Sequence, residues 1–242
     1  DDDDGVWYPR RSNRTRRAIP RAGWRTETEF CPRSESVGWA VVDIDWSPDS
    51  EWLAYSSWST RLSLFRADGS KYVSRELDEY SHRRICIFSV RFSQQGTELV
   101  GASSDHCLYV CNIETGAVQR VYAHDDDVNS VCFVEHDGNV LLSGSDDALV
   151  KLWDRRMLSS DADSSSAPAE PLRNRCPARG SSRSGMQKPV GILEGHMYGV
   201  THVTSRNDAR LVLSNSKDQT AKLFDLRMCR SELQTLHSQD SQ

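Results

Sequence analysis

The chain holds no apolar run approaching the ~18 residues that a membrane-spanning helix needs, and no succession of charged, apolar and small-residue zones marks a secretory signal at its start. Both absences predict a soluble intracellular protein. None of the seven cysteines forms a CxxC pair, so the spacing common in zinc sites is missing. A Gly-rich phosphate loop, a paired-carboxylate arrangement and a Gly-x-Ser-x-Gly nucleophile turn are missing too, which removes the usual signatures of nucleotide-dependent enzymes and of α/β hydrolases. No enzymatic activity, metal or cofactor is expected. The chain opens on Asp1 without an initiator Met, which predicts a fragment or a processed product.

What is present is large enough for a buried core: 242 residues, 37% of them hydrophobic and 27% charged. The net charge of -5 argues against a nucleic-acid-binding surface spread over the whole domain. Charge is nevertheless blocky. Seven Arg and no acid stand between Arg10 and Arg25, directly after Asp1 to Asp4, and such a stretch has too little apolar surface to order itself. Cys86, Cys107, Cys111 and Cys132 lie inside apolar runs, where a free thiol acts as a small buried hydrophobe; this fits a reducing compartment.

The chain repeats itself. Residues 142–154 (LSGSDDALVKLWD) have a counterpart at 213–225 (LSNSKDQTAKLFD), a weaker one at 100–112 (VGASSDHCLYVCN) and a fourth at 54–66 (AYSSWSTRLSLFR), where Ser59 replaces the Asp. Asp105, Asp147 and Asp218 each precede Cys111, Trp153 and Phe224 by six residues, while His82, His124 and His196 precede the same acids by 23, 23 and 22. From Asp105 to Asp147 is 42 residues, the length of a four-stranded propeller blade. The next interval is 71, and its surplus of about 29 falls in a Ser-, Arg- and Pro-rich stretch with little to fold around. Loop-closure entropy grows only logarithmically with length, so such an insertion need not disturb the blades it joins.

Within each period the pattern is all β. Expected strands are 85–92, 98–102, 108–111 and 117–122 in one repeat, 128–134, 140–143, 149–153 and 190–193 in the next, and 200–204, 210–214 and 220–224 in the last. They are near-continuously apolar, as befits small sheets covered on both faces. The predicted organisation is a tail over 1–36, blades at about 37–79, 80–122, 123–193 and 194–236, a disordered insertion over 157–189, and a C-terminal tail over 237–242.

Ala123-His124 with Trp153-Asp154, and Gly195-His196 with Phe224-Asp225, resemble the Gly-His and Trp-Asp signatures of the WD-repeat β-propeller family, over about residues 37–228. The resemblance implies a buried hydrogen-bond chain of Trp153, Ser143, His124 and Asp147, with His196, Ser214 and Asp218 repeating it and His82 and Asp105 holding the same register. A Ser, a His and an Asp together also invite a hydrolase reading, but a set recurring blade after blade is structural. Gly101 and Cys111 replace hydroxyl and indole in the second blade, Phe224 replaces the indole in the fourth, and the first lacks the His; those blades should be less tightly cross-braced. His106, His136, His202 and His237 share no spacing and read as surface or packing groups, and Asp125 to Asp127 as a solvated loop.

Trp153-Asp154-Arg155-Arg156 and Phe224-Asp225-Leu226-Arg227 resemble the WDxR box of receptors that dock on damage-specific DNA-binding protein 1, the adaptor of cullin-4 RING ubiquitin ligases. Arg156 and Arg227 stand 71 residues apart, like Asp147 and Asp218, so they occupy equivalent places and predict two guanidinium forks on one face. Further segments, including 55–59 (YSSWS), 124–129 (HDDDVN) and 214–220 (SNSKDQT), are similar to the family of damage-specific DNA-binding protein 1 and cullin-4 associated factor 11, which is LEC14B-like. The likeness implies a non-catalytic substrate receptor of nucleus and cytoplasm, with the adaptor held through Asp154, Arg155, Arg156, Asp225 and Arg227 and an unknown protein as target. Neither a membrane nor direct nucleic-acid binding is implied, and the alternative is a general scaffold in a nuclear RNA-processing or chromatin complex. Such propellers usually have about seven blades; four in an open stack would leave two apolar sheet faces uncovered.

Overall fold

The computed structural model describes residues 40–77, 85–134, 138–158 and 187–228. His82, the Arg-rich tail and nearly all of the 157–189 insertion lie outside the described residues. Inside them the chain forms fifteen strands and no α-helix. The first sheet is β1 (Val41–Trp46), β2 (Trp52–Ser57), β3 (Arg61–Arg66) and β4 (Tyr72–Glu76). The second is β5 (Ile87–Phe92), β6 (Glu98–Ser103), β7 (Cys107–Asn112) and β8 (Val118–Tyr122), and the third β9 (Val128–Phe133), β10 (Val140–Ser145), β11 (Val150–Asp154) and β12 (Gly191–Leu193). The fourth holds β13 (Val200–Ser205), β14 (Leu211–Ser216) and β15 (Ala221–Asp225). Each sheet is an antiparallel meander in chain order. These are the four blades of a WD-repeat β-propeller, with strand limits mostly within one or two residues of those read from the sequence.

The blades stack through their innermost strands, β1 on β5, β5 on β9 and β9 on β13. All three stacks run in the same sense. Asp43 accepts the Val90 amide at 3.0 Å and Asp45 that of Phe92 at 2.8 Å, while Asn129 donates to the Val200 carbonyl and Ser205 to that of Val134. The β6–β7, β10–β11 and β14–β15 turns therefore share one end of the stack, here the upper end. The segments following β11 and β15 share the lower end.

The core is distributed between sheets. One cluster joins Leu62 and Leu64 to Ile87, Val90 and Tyr109; a second joins Val100 and Leu108 to Val131, Leu141 and Trp153; a third joins Leu142, Val150 and Leu152 to Val200 and Val203. A middle blade thus buries both faces, which is why its strands read as continuous apolar runs. At Gly144 the approach is so close that a Cβ would lie 2.7 Å from Val200 and 2.8 Å from Val203. Among the described residues, the two outer faces of the stack have no such cover. Val41, Val42, Ile44 and Trp46 on the first blade, and Leu213 and Leu223 on the last, are exposed.

The upper turns share an unusual backbone. His106, Ala148 and Gln219 hold φ of +69°, +68° and +66° at equivalent positions, the left-handed region that non-Gly residues rarely enter. The preceding acid makes it tenable: Asp147 accepts the Leu149 amide at 3.0 Å and Asp218 that of Thr220 at 2.9 Å.

Candidate functional site

In the third blade the bonds form one directed chain. The Trp153 indole N–H donates to Ser143 Oγ at 2.8 Å, Ser143 lies 2.7 Å from His124 Nε2, and His124 Nδ1 lies 2.8 Å from Asp147. With the Nδ1–H tautomer, each group donates to the next and none is left without a partner. Burial pushes the His124 imidazole below its usual range, only partly opposed by Asp147. Burial also pushes Asp147 up, but the bond and charge of His124, the Leu149 amide and the Lys151 charge together outweigh it and leave the carboxyl at about 2. A neutral imidazole beside an ionised carboxylate is the state this chain of donors requires. Ser143 and His124 are wholly buried and the hydroxyl already accepts the indole, so this serine cannot meet a substrate.

The fourth blade repeats part of the set: His196 lies 2.8 Å from Asp218 and 2.7 Å from Ser214. Phe224 meets the His196 ring edge-on and offers no donor, so Ser214 has no indole partner. The second blade differs from expectation. Asp105 accepts the Tyr109 hydroxyl at 2.7 Å and Arg120 at 2.8 Å, and Arg120 also donates to Cys107 Sγ. Tyr109, fully buried, stands where the third blade has Lys151, whose ammonium donates to the Ala123 carbonyl. The loss of hydroxyl and indole in this blade is therefore offset by a phenol and a guanidinium. Neither is legible in the spacing of His, Ser and Trp, because a tyrosine in an apolar strand reads simply as core.

The cysteines pack as expected. Cys86, Cys107 and Cys111 are buried free thiols and Cys132 is partly buried. Burial pushes Cys86 up to about 11 and Cys132 up to about 12, so neither is a ready nucleophile.

At the lower end, Asp154 and Asp225 each end the third strand of their blade and lead into a 3₁₀ turn, Arg155–Met157 and Leu226–Met228. Asp154 accepts the Arg156 amide at 3.0 Å, Arg156 Nε at 3.0 Å and its terminal nitrogen at 2.6 Å. Asp225 accepts the same three groups of Arg227 at 3.1, 3.0 and 2.6 Å. The fork from Arg227 first, and its amide next, hold the Asp225 carboxyl well below its usual range. Two guanidiniums are thus clamped in one pose by their own carboxylates, with side chains 70% and 63% exposed, at the same end of adjacent blades. Arg155 goes elsewhere. It pairs with Glu98 of the second blade and tethers that blade to the third.

The family described as WD domain, G-beta repeat matches residues 116–154 and 187–225. The LEC14B protein of Lithospermum erythrorhizon is 33% identical over 237 residues, covering 91% of this chain and 44% of that protein. The DDB1- and CUL4-associated factor 11 homolog of Caenorhabditis elegans is 34% identical over 203 residues, 81% of this chain and 31% of its own. The Poly(A)+ RNA export protein of Schizosaccharomyces pombe is 36% identical over a shorter 120 residues, 48% of this chain. The chain spans less than half the length of these relatives. It carries WD40 repeats and is homologous over most of its length to proteins named LEC14B and DDB1- and CUL4-associated factor 11.

Proposed function

We propose that this protein is a non-catalytic substrate receptor that docks on the DDB1 adaptor of a CUL4 RING ubiquitin ligase and presents a target protein for ubiquitination and proteasomal degradation. The observation that carries this reading is the duplicated fork: Asp154 with Arg156, and Asp225 with Arg227, in the same geometry at one end of two consecutive blades. A single exposed ion pair has little structural value. Two arginines held in register by their own carboxylates have already lost the side-chain freedom that binding would otherwise remove. The relatives named for association with DDB1 and CUL4 support the same assignment. The adaptor set is Asp154, Arg156, Asp225 and Arg227, with Arg155 holding the seam behind them. The upper end is left for the target, and the working compartments are nucleus and cytoplasm.

The test is capture of this chain by purified DDB1. Arg156→Ala combined with Arg227→Ala is expected to abolish capture while the thermal unfolding midpoint stays close to wild type. Undiminished capture by the double variant would overturn the docking face. The RNA export relative favours a second reading, a scaffold in a nuclear RNA-processing complex. Under it the chain would co-purify with RNA in a salt-sensitive manner and ignore both arginine changes.

A further inference from the structure

At the upper end of the seam between the second and third blades, three potential ligands converge that are far apart in sequence. One donor atom each of His106, Asp126 and Asp127 lies within 4.8 Å of the other two. His106 belongs to the β6–β7 turn, and the two acids to the loop that follows His124. We propose that these side chains form a site for one divalent cation of the zinc class, held across the seam. The idea is independent of adaptor docking, which concerns the opposite end.

First, His106 Nδ1 is buried and meets no hydrogen-bond partner, a state that buried polar atoms seldom keep unless something else satisfies them. A metal ion is such a partner. Second, the backbones that carry the ligands are tied together. The His106 carbonyl accepts the Ala123 and His124 amides at 3.0 and 3.1 Å. Asp127 accepts the Asp146 amide through its carbonyl at 2.9 Å, and the Asp126 carbonyl accepts Ser145 Oγ. His124 in turn is fixed by Asp147. The three side chains therefore project from a rigid base, and rotation alone can close them on an ion.

Third, the local charge is unbalanced. Asp126, Asp127 and Asp146 stand near one another, and the Lys217 ammonium beside them pairs with Asp146 at 2.7 Å. The arrangement is not a feature of the repeat. Ala148 and Gln219 occupy the position of His106 in the next two blades, and Met197, Tyr198 and Gly199 follow His196 where the three acids follow His124.

The donor set selects the metal. Magnesium and calcium favour cages made wholly of oxygen, and soft ions favour thiolate, whereas an imidazole with two carboxylates suits zinc and its borderline neighbours. Three protein ligands leave a fourth position for water or for a group on a bound partner.

Cobalt(II), a spectroscopic stand-in for zinc, titrated into the whole chain tests this. The expected result is one equivalent with a visible ligand-field spectrum, no thiolate charge-transfer band, and displacement by zinc. His106→Asn removes the imidazole while Asn tolerates the left-handed turn, and should weaken binding by at least about tenfold without moving the metal-free melting temperature. Asp126→Asn, on an exposed side chain that keeps its bond to the Asp127 amide, serves the same purpose should His106→Asn fail to fold. Absence of binding to the wild type, a thiolate band, or wild-type affinity in whichever of these variants folds would overturn the site.

Discussion

Val90, Val131 and Val203 occupy one position in the innermost strands of the second, third and fourth blades and are 0%, 0% and 1% exposed; Ile44, the same position in the first, is 58% exposed. On the opposite face, Leu64, Val110 and Leu152 are 2%, 6% and 7% exposed, while Leu223 in the fourth blade is 66% exposed. Residue type hardly changes between the seams and the two outer faces; cover does. Every blade is written as a two-sided sheet, and whether its apolar side stabilises anything depends on a neighbour, the nearest-neighbour energetics of a repeat protein. Among the described residues, the outer faces of the first and last blades stay apolar and exposed.

One charge placed at each kind of position separates seam from outer face. Val131→Asp should bury an unpaired carboxylate in the seam and destabilise by more than about 4 kcal/mol. Ile44→Asp should cost about 0.5 kcal/mol or less and reduce self-association of the chain. Urea unfolding measures the first effect and light scattering the second. Equal destabilisation by the two changes would show that the seam is not as described.

Next in size is the contrast between the inner and outer aromatic positions. Trp153 is fully buried and bonded to Ser143, whereas Phe224 packs at the margin of the last seam with no hydrogen-bonding role. Trp153→Ala should cost about 3 kcal/mol or more, and Phe224→Ala about 1 kcal/mol, both read from urea midpoints at constant slope.

The same contrast explains what the sequence makes legible. Repeated spacing places His124, Ser143, Asp147 and Trp153 in register, and each meets the partner that the family resemblance implies, because strand register carries position through the sheet. Cross-blade partners leave no such periodic trace. Arg155 finds Glu98, 57 residues away, and Tyr109 and Arg120 converge on Asp105. His106, Ala148 and Gln219 take left-handed turns with neither Gly nor Asn to announce them. What depends on the repeat is readable from one chain; what depends on the neighbouring blade needs coordinates.

The buried brace also predicts a pH dependence. His124 is held neutral below its ordinary 6.5, so below that pH the unfolded chain takes up a proton that the folded chain refuses. Stability should rise with pH from the depressed folded value up to about 6.5 and gain nothing more from this group above it, with a slope approaching about 1.4 kcal/mol per pH unit. Asp147 acts in the same direction at lower pH: its contribution is complete above its ordinary 3.8 and is lost as pH falls through about 2. Imidazole nitrogen NMR on the folded chain should show His124 as the Nδ1–H tautomer throughout the window, and titration at or above 6.5 would contradict the buried chain of bonds.

The smallest effect separates two adjacent arginines. Arg155 and Arg156 differ by one position and carry the same charge, yet Arg155 is 28% exposed against a Glu98 that is 12% exposed, while Arg156 stands 70% exposed. Removing Arg155 strands a mostly buried carboxylate whose other oxygen, Oε2, already lacks a partner, so Arg155→Ala should destabilise by about 1 kcal/mol. Arg156→Ala leaves Asp154 still bonded to the Arg156 backbone amide, and should cost about 0.5 kcal/mol or less. Adaptor capture should rank the pair the other way, with Arg156→Ala losing more binding than Arg155→Ala at equal concentration of folded protein. If capture instead follows the stability ranking, the lower end acts through the integrity of the seam, and the exposed forks are not its grip.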